Sequence, residues 1–354
     1  MAFKRIALMG TGSLGTILGA YLTKGGVNID LIDVNQAHVD ALNKDGAHVI
    51  GTVDITVPVH AITPDQMEGE YDLFLYMTKQ TYNDTAIPQM VAHLAPGGYI
   101  CVFQNGIPEE AVSKVIGEEH TLGATVGWGA TWIGPGVSEA TTIESDWFFN
   151  VGTMNGEVTP ELEELKALLE NMCRTNIETK WMSARWEKLL ANVAMSGMSA
   201  CLGCTFGDVL DDPKSLLCAQ HLARECVRVT KGLGYECAMN EQIHMTIDHV
   251  FDFHNAEEKK MGSDIAFMVV WGTAHRASKA SMLQDLEKGL KCEVDAINGV
   301  LSSSGRKCGV PTPVSDKVVE IIHEIEDGKR TPCWDNLDAF DMFDGVEIRS
   351  DYKG

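Results

Sequence analysis

Six residues near the N-terminus, Gly10-Thr11-Gly12-Ser13-Leu14-Gly15, have the types and the spacing to bind a dinucleotide. Gly10 permits a tight turn, Gly12 lets the backbone approach a pyrophosphate, and Gly15 lets helix and strand pack closely. Thr11, Ser13 and Leu14 carry the backbone between them into a helix whose first N–H groups and positive dipole end face the phosphates. Such glycine triplets are common by chance. Context gives this one its weight, because it follows the apolar run Arg5–Met9 and opens a helical pattern over Ser13–Lys24. Asp33 ends the apolar stretch Ile29-Asp30-Leu31-Ile32, eighteen positions after Gly15. An acid there hydrogen-bonds the adenosine ribose hydroxyls of NAD and repels the extra phosphate of NADP. No arginine follows it, since Val34, Asn35 and Gln36 come next. The expected cofactor is NAD, with NADP the runner-up.

A second constellation lies far along the chain. Lys188 sits in a strongly apolar helical pattern with Trp186, Leu189, Leu190 and Val193, and Asn192 follows four residues on, on the same face. A lysine partly buried there needs a partner, and burial tunes its pKa, which suits it to polarising a carbonyl and delivering a proton. The bland alternative is a lysine that snorkels to water, the commoner fate of helical lysines. Asn105 follows the apolar run Tyr99–Phe103, at the sheet edge where ligands collect in open α/β folds. The one close cysteine pair, Cys201 and Cys204, has neither a second pair nor histidines beside it, so no metal site is expected and the thiols read as reduced.

The elements that must position these groups fall into two sets. Strand signals at Arg5–Met9, Val27–Ile32, His48–Ile50, Asp72–Met77 and Tyr99–Phe103 alternate with helical patterns at Ser13–Lys24, about Gln36–Asn43 and Asp84–Leu94. That alternation predicts a parallel, doubly wound sheet. Thr125–Ser138 reads as strands and turns leaving that sheet. Beyond Thr159 the patterns are helical, over Pro160–Met172, Trp181–Cys201, Ser215–Leu233, Asn240–Phe253, Ser281–Ser303 and Val314–Glu326. The expected fold is α/β, an N-terminal Rossmann-type doubly wound domain over residues 1–178 and a mainly helical substrate and catalytic domain over residues 179–330. An acidic tail over residues 331–354 follows. With 354 residues, 45% hydrophobic and 22% charged, two soluble domains are expected. The net charge of -22 argues against nucleic acid and anionic membrane surfaces as partners. No apolar run is long enough to cross a bilayer, and the expected location is the cytoplasm.

Taken together, these motifs resemble the ketopantoate reductase family, which includes D-2-hydroxyacid dehydrogenases of the same fold. Five motifs carry the resemblance: the glycine loop; Thr78-Lys79; Phe103-Gln104-Asn105-Gly106; and two helical stretches. The first stretch is Trp186-Glu187-Lys188-Leu189-Leu190-Ala191-Asn192. The second runs from Ser281-Met282-Leu283-Gln284-Asp285 through Gly289 to Glu293-Val294-Asp295-Ala296-Ile297-Asn298-Gly299. The resemblance implies hydride transfer between a nicotinamide cofactor and a 2-keto acid or D-2-hydroxy acid. It makes Lys188 the proton donor and Glu293 a catalytic group that orients substrate and lysine. It implies that Ser281, Asn192 and Ser196 face the substrate, that Asn105 lies on the nicotinamide side or the substrate, that Lys79 lies near the cofactor, and that the assembly is a homodimer.

Two departures from the family stand out. Asp33 belongs with NAD, where ketopantoate reductases use NADPH. Ser196 stands where many members carry asparagine, which removes a reach toward the far hydroxyl of ketopantoate. Both favour the alternative reading, an NAD-dependent D-2-hydroxyacid dehydrogenase acting on branched or aromatic 2-keto acids. A third reading, a dinucleotide sensor without turnover, has no use for the Lys188, Asn192 and Glu293 set.

Overall fold

The structure is a computed structural model that describes residues 3–237, 239–240, 245–272 and 275–343. The chain divides into two compact units, Met1–Trp181 and Met182–Gly354.

The first unit holds strands β1 (Ile6–Met9), β2 (Ile29–Ile32), β3 (Ala47–Gly51), β4 (Ile55–Val57), β5 (His60–Ile62), β6 (Tyr71–Tyr76), β7 (Leu94–Val102), β8 (Thr121–Val126), β9 (Ala130–Gly134), β10 (Val137–Ala140), β11 (Phe148–Thr153) and β12 (Arg174–Ile177). Its helices are α1 (Ser13–Lys24), α2 (Gln36–Asp45), α3 (Asn83–Ala92), α4 (Glu109–Ile116) and α5 (Pro160–Leu169). Eight strands form one sheet in the order β12-β11-β8-β7-β6-β1-β2-β5, parallel except where β11 runs against β8. Alternate residues of each strand feed opposite cores. Leu8, Leu31, Leu73 and Leu75 pack with Ile17 and Leu18 of α1, while Ala7, Met9, Phe74, Tyr76 and Val102 pack with Ile87 and Met90 of α3. Helices on both faces make the sheet doubly wound, as the alternation predicts. Chain order reverses between β1 and β6, so the crevice beyond their carboxyl ends is where a ligand belongs in such a fold.

The strand expected at His48–Ile50 is present but leaves the main sheet. As β3 it joins β4, β9 and β10 in a second, four-stranded sheet in the order β4-β3-β10-β9. The strands of three residues, β4 and β5, are too short to show a period in sequence. With these two counted, the loops carrying Thr78-Lys79 and Gln104-Asn105 follow the sixth and seventh strands, β6 and β7.

The second unit is helical, apart from a two-stranded pairing of Met239–Asn240 with Met245–Thr246. That pairing replaces part of the helix expected over Asn240–Phe253, of which only Ile247–Phe251 is helical; residues 241–244 lie outside the described residues. The helix expected over Ser281–Ser303 is interrupted. Ser281–Glu287 ends, Gly289 takes φ +69°, and helical structure resumes with a π-turn at Asp295–Gly299 before Val300–Cys308. A left-handed residue ends a helix cheaply only when it is glycine. Through Phe343, the acidic C-terminal stretch is docked: Asn336 Nδ2 donates to the carbonyls of Cys201 and Thr331 at 2.8 Å each, and Phe340 is fully buried.

Candidate functional site

In the first unit, three loops meet at the carboxyl edge of β1, β6 and β7. Gly10 has φ +98°, and a Cβ there would lie 2.5 Å from the backbone nitrogen of Thr78. Thr78 N–H and Oγ1–H both reach the Met9 carbonyl at 3.2 Å. The Gln104 side-chain amide donates to the Thr78 carbonyl, and that of Gln80 to the Asn105 carbonyl at 2.5 Å. Lys79 and Asn105, half-buried neighbours of these crosslinks, are thus brought to the edge that carries the glycine loop.

The loop itself has the shape the sequence demands. A Cβ at Gly15 would lie 2.2 Å from the Gly10 carbonyl oxygen, so only glycine lets α1 start there. A Cβ at Gly12 meets nothing within 4 Å, so the space a phosphate would use lies open beside it. Ser13 and Leu14, both half-buried, begin α1. Asp33 does more than the sequence suggested. Its Oδ2 accepts from Thr11 N–H at 3.0 Å and from Thr11 Oγ1–H at 3.2 Å, and its Oδ1 accepts from Asn35 N–H at 3.0 Å. The acid expected at a ribose thus also holds the second residue of the glycine loop.

In the second unit, Lys188 lies on α6 (Trp181–Ala191), and Asn192 opens a π-turn, Asn192–Ser196, that leads into the helix Gly197–Leu202. Turns of this kind occur often at functional sites. Burial, and then the Arg185 guanidinium one turn earlier, push the Lys188 ammonium down to about 7. That arginine, 1% exposed, is a charged neighbour of Lys188 that was not singled out from sequence, although its place three residues earlier on the same helix was a signal. Asn192 Nδ2 is buried with no hydrogen-bond partner among the described residues. A buried amide donor left so is costly unless a ligand meets it. Ser196 is buried at the end of the turn, and Glu293 is 7% exposed where the chain enters the π-turn Asp295–Gly299. Ser281 begins its helix and is exposed.

The elements bearing these residues are neighbours. The Ser281–Glu287 helix packs against both the Asn192–Ser196 turn and the Gly197–Leu202 helix, and the Asp295–Gly299 turn packs against Asn192–Ser196. Two buried side chains fasten them. Asn298 Nδ2 donates to the Val193 carbonyl at 3.3 Å. Ser199 Oγ accepts from Ala280 N–H at 3.3 Å and donates to the Cys204 carbonyl at 2.6 Å, which fixes the residue before Ser281. Neither side chain was assigned a role from sequence, because each acts across a long sequence separation. Lys279, two residues before Ser281, is engaged in an exposed ion pair with Glu287 at 2.6 Å. Among the described residues no group of three or more His, Cys, Asp or Glu could hold a metal ion, and no helix is long and apolar enough to cross a membrane.

A dinucleotide loop at the switch point of a doubly wound sheet, followed by a helical unit with a buried lysine, defines a nicotinamide-dependent oxidoreductase of Rossmann type. Residues 6–152 match the family described as "Ketopantoate reductase PanE/ApbA", and residues 180–326 match "Ketopantoate reductase PanE/ApbA C terminal". The chain belongs to the ketopantoate reductase family, and membership makes it an oxidoreductase of the 2-keto acid class. Among curated relatives, the 2-dehydropantoate 2-reductase of Archaeoglobus fulgidus is 25% identical over 336 residues, 93% of this chain and 100% of that one. Among solved structures, D-mandelate dehydrogenase with NADH and anilino(oxo)acetate aligns with a TM-score of 0.77 at 20% identity, covering 92% of this chain and 99% of that one. A dimeric ketopantoate reductase from Staphylococcus aureus aligns with a TM-score of 0.70 at 17% identity, covering 92% and 100%. These last two likenesses speak for the fold.

Proposed function

We propose that this chain reduces a branched or aromatic 2-keto acid to the D-2-hydroxy acid with NADH. The observation that carries the reading is Lys188, whose ammonium is held near 7 by burial and by Arg185. A group with a pKa close to the working pH is suited to both giving and taking a proton. The cofactor, bound on the glycine loop with its ribose at Asp33 and its flank near Lys79 and Asn105, supplies the hydride. Lys188 delivers the proton to the substrate oxygen. Glu293 orients lysine and substrate, while Asn192, Ser196 and Ser281 hold the substrate's polar groups. NADH in the D-mandelate dehydrogenase structure supports the choice of cofactor, as does Asp33 in this chain. Ser196 supports the choice of substrate, because a short hydroxyl suits a keto acid without a far hydroxyl group.

The test is a matrix of steady-state rates, ketopantoate against branched and aromatic 2-keto acids, each with NADH and NADPH. NADH with a keto acid other than ketopantoate is expected to give the highest kcat/KM. Ketopantoate with NADPH as the best pair by a wide margin overturns the reading of Asp33 and Ser196 together.

We further propose a homodimer working in the cytoplasm. The Staphylococcus aureus reductase, described as dimeric, supports the assembly. So does an exposed apolar stripe, Met261, Ile265, Met268 and Val269, at helical spacing on one face. Ten unpaired cysteines suit a reducing compartment. Sedimentation equilibrium of the purified protein is expected at twice the 38.6 kDa chain mass. A single species at the chain mass rules the dimer out, and cell fractionation locates the protein.

A further inference from the structure

His38 was not singled out by sequence. It lies on α2, in the stripe with Val39 and Leu42 that faces the core, and it is fully buried. Its surroundings are specific. The Gly136 backbone N–H donates to Nδ1 at 2.8 Å. Because that nitrogen must carry a lone pair to accept, the ring proton resides on Nε2. Nε2 lies 2.7 Å from the Thr11 carbonyl oxygen, so it donates there. Thr16 Oγ1 sits 3.3 Å from the same nitrogen and donates to the same Thr11 carbonyl at 2.7 Å. The Trp132 ring packs on the imidazole with centroids 4.6 Å apart. Burial lowers the imidazole's pKa, against the opposing pull of the Thr11 carbonyl and Asp33, and so keeps the ring in this neutral form.

Thr11 is therefore gripped at both ends of its peptide environment. Its carbonyl is held by His38 and Thr16, while its N–H and hydroxyl are held by Asp33. On the other side of His38 stand Trp132 on β9 and Gly136 in the turn to β10, both belonging to the small four-stranded sheet. This gives that sheet, which the chain builds beside the main one, a task.

We infer that His38 is a positioning residue for the dinucleotide site: its imidazole spans the β9–β10 turn and the Thr11 carbonyl, and so sets the glycine loop in the shape that receives the pyrophosphate. It touches neither cofactor nor substrate and acts through Thr11. A group that preorganises a binding loop shows in cofactor affinity rather than in the chemical step.

Two half-mimics separate this role from simple core packing. In His38→Gln the side-chain amide nitrogen reaches the position of Nε2 and keeps the donor to Thr11, while the acceptor for Gly136 is lost. In His38→Asn the amide oxygen stands in for Nδ1 and keeps the Gly136 contact, while the donor to Thr11 is lost. NADH binding to the purified full chain is followed by fluorescence titration, alongside melting temperature and steady-state rates. Both variants are expected to melt lower than wild type. His38→Asn is expected to raise the Kd and the KM for NADH roughly tenfold, with kcat at saturating NADH kept, and His38→Gln is expected to stay within about threefold in Kd. An affinity for NADH in His38→Asn equal to wild type overturns the inference. So does an equal loss in both variants, which is what a purely structural role gives. Should His38→Asn fail to fold, His38→Gln carries the test: a Kd near wild type despite a lowered melting temperature supports the role through Thr11, and a tenfold rise defeats it. The inference rests on the glycine loop being a dinucleotide site. Failure of wild-type protein to bind NADH would defeat that reading, whereas unchanged binding in His38→Asn defeats only this one.

Discussion

Replacing Lys188 with methionine is expected to lower kcat for keto acid reduction by about 10²–10⁴-fold while leaving the affinity for NADH within a few-fold of wild type. The size follows from what is removed. Without a positioned proton donor, the developing alkoxide must draw its proton from water, and the carbonyl loses its polarising charge. Cofactor affinity survives because the glycine loop, Thr11 and Asp33 are all in the first unit, within Met1–Trp181. The wild-type pH profile carries the same signature. With the ammonium pushed down to about 7, kcat/KM for reduction is level below that pH and falls about tenfold per pH unit above it, because the acid form is being lost. Oxidation of the hydroxy acid shows the mirror image and rises to a plateau above pH 7. Stability gives an independent reading. The unfolded chain holds the lysine proton up to about 10.5 while the folded chain releases it near 7, so folding gains stability as pH rises between those two values. Methionine removes that cost, and Lys188→Met is expected to melt no lower than wild type at pH 7. Reduction within tenfold of wild type, or a parallel loss of NADH binding, sinks the assignment of Lys188.

How far the sequence shows this site depends on how local each part is. The glycine loop is legible because its constraint is backbone geometry, and a Cβ at Gly10 or Gly15 collides within 2.5 Å or less. Lys188 and Asn192 are legible as a pair because one helix carries both. The π-turn that follows is not, since nothing in Asn192-Val193-Ala194-Met195-Ser196 marks a widened turn, and the side chain that meets its Val193 carbonyl, Asn298, is 105 residues away. The second sheet is equally hidden, its strands being three to five residues long and its pairing of β3 with β10 lying far apart in sequence. His38 is the sharpest case. It looks like one polar residue on an amphipathic helix, and only the fold brings it to Thr11, 27 residues away, and to Gly136, 98 away. Helical periodicity fails in a different manner at Ser281–Ser303. The apolar spacing continues past the break, and Gly289 is the one local sign that the chain turns there.

Asp33→Arg is expected to shift the ratio of NADP to NAD affinity roughly a hundredfold toward NADP. One charge that repels the 2′-phosphate is replaced by one that attracts it, at a distance where each is worth a few kcal/mol at most at the effective dielectric of a protein surface. The structure adds a condition that the sequence does not. Asp33 also accepts from both Thr11 N–H and Thr11 Oγ1–H, so arginine leaves two donors at the glycine loop without their acceptor. NAD binding to Asp33→Arg is therefore expected to weaken by more than the lost ribose contact alone. Asp33→Asn separates the two effects. Its amide oxygen can still accept from Thr11, at the cost of the exposed Asn35 N–H contact that the other carboxylate oxygen accepts, while the negative charge is gone. It is expected to shift the cofactor ratio about tenfold toward NADP with little change in total affinity. Binding titrations of both cofactors against both variants give the four numbers needed. A ratio unmoved in both variants removes Asp33 from cofactor choice. A moved ratio with undiminished NAD affinity in Asp33→Arg shows instead that Thr11 is held well enough from its carbonyl side, by His38 and Thr16, to keep the loop in shape without the acid.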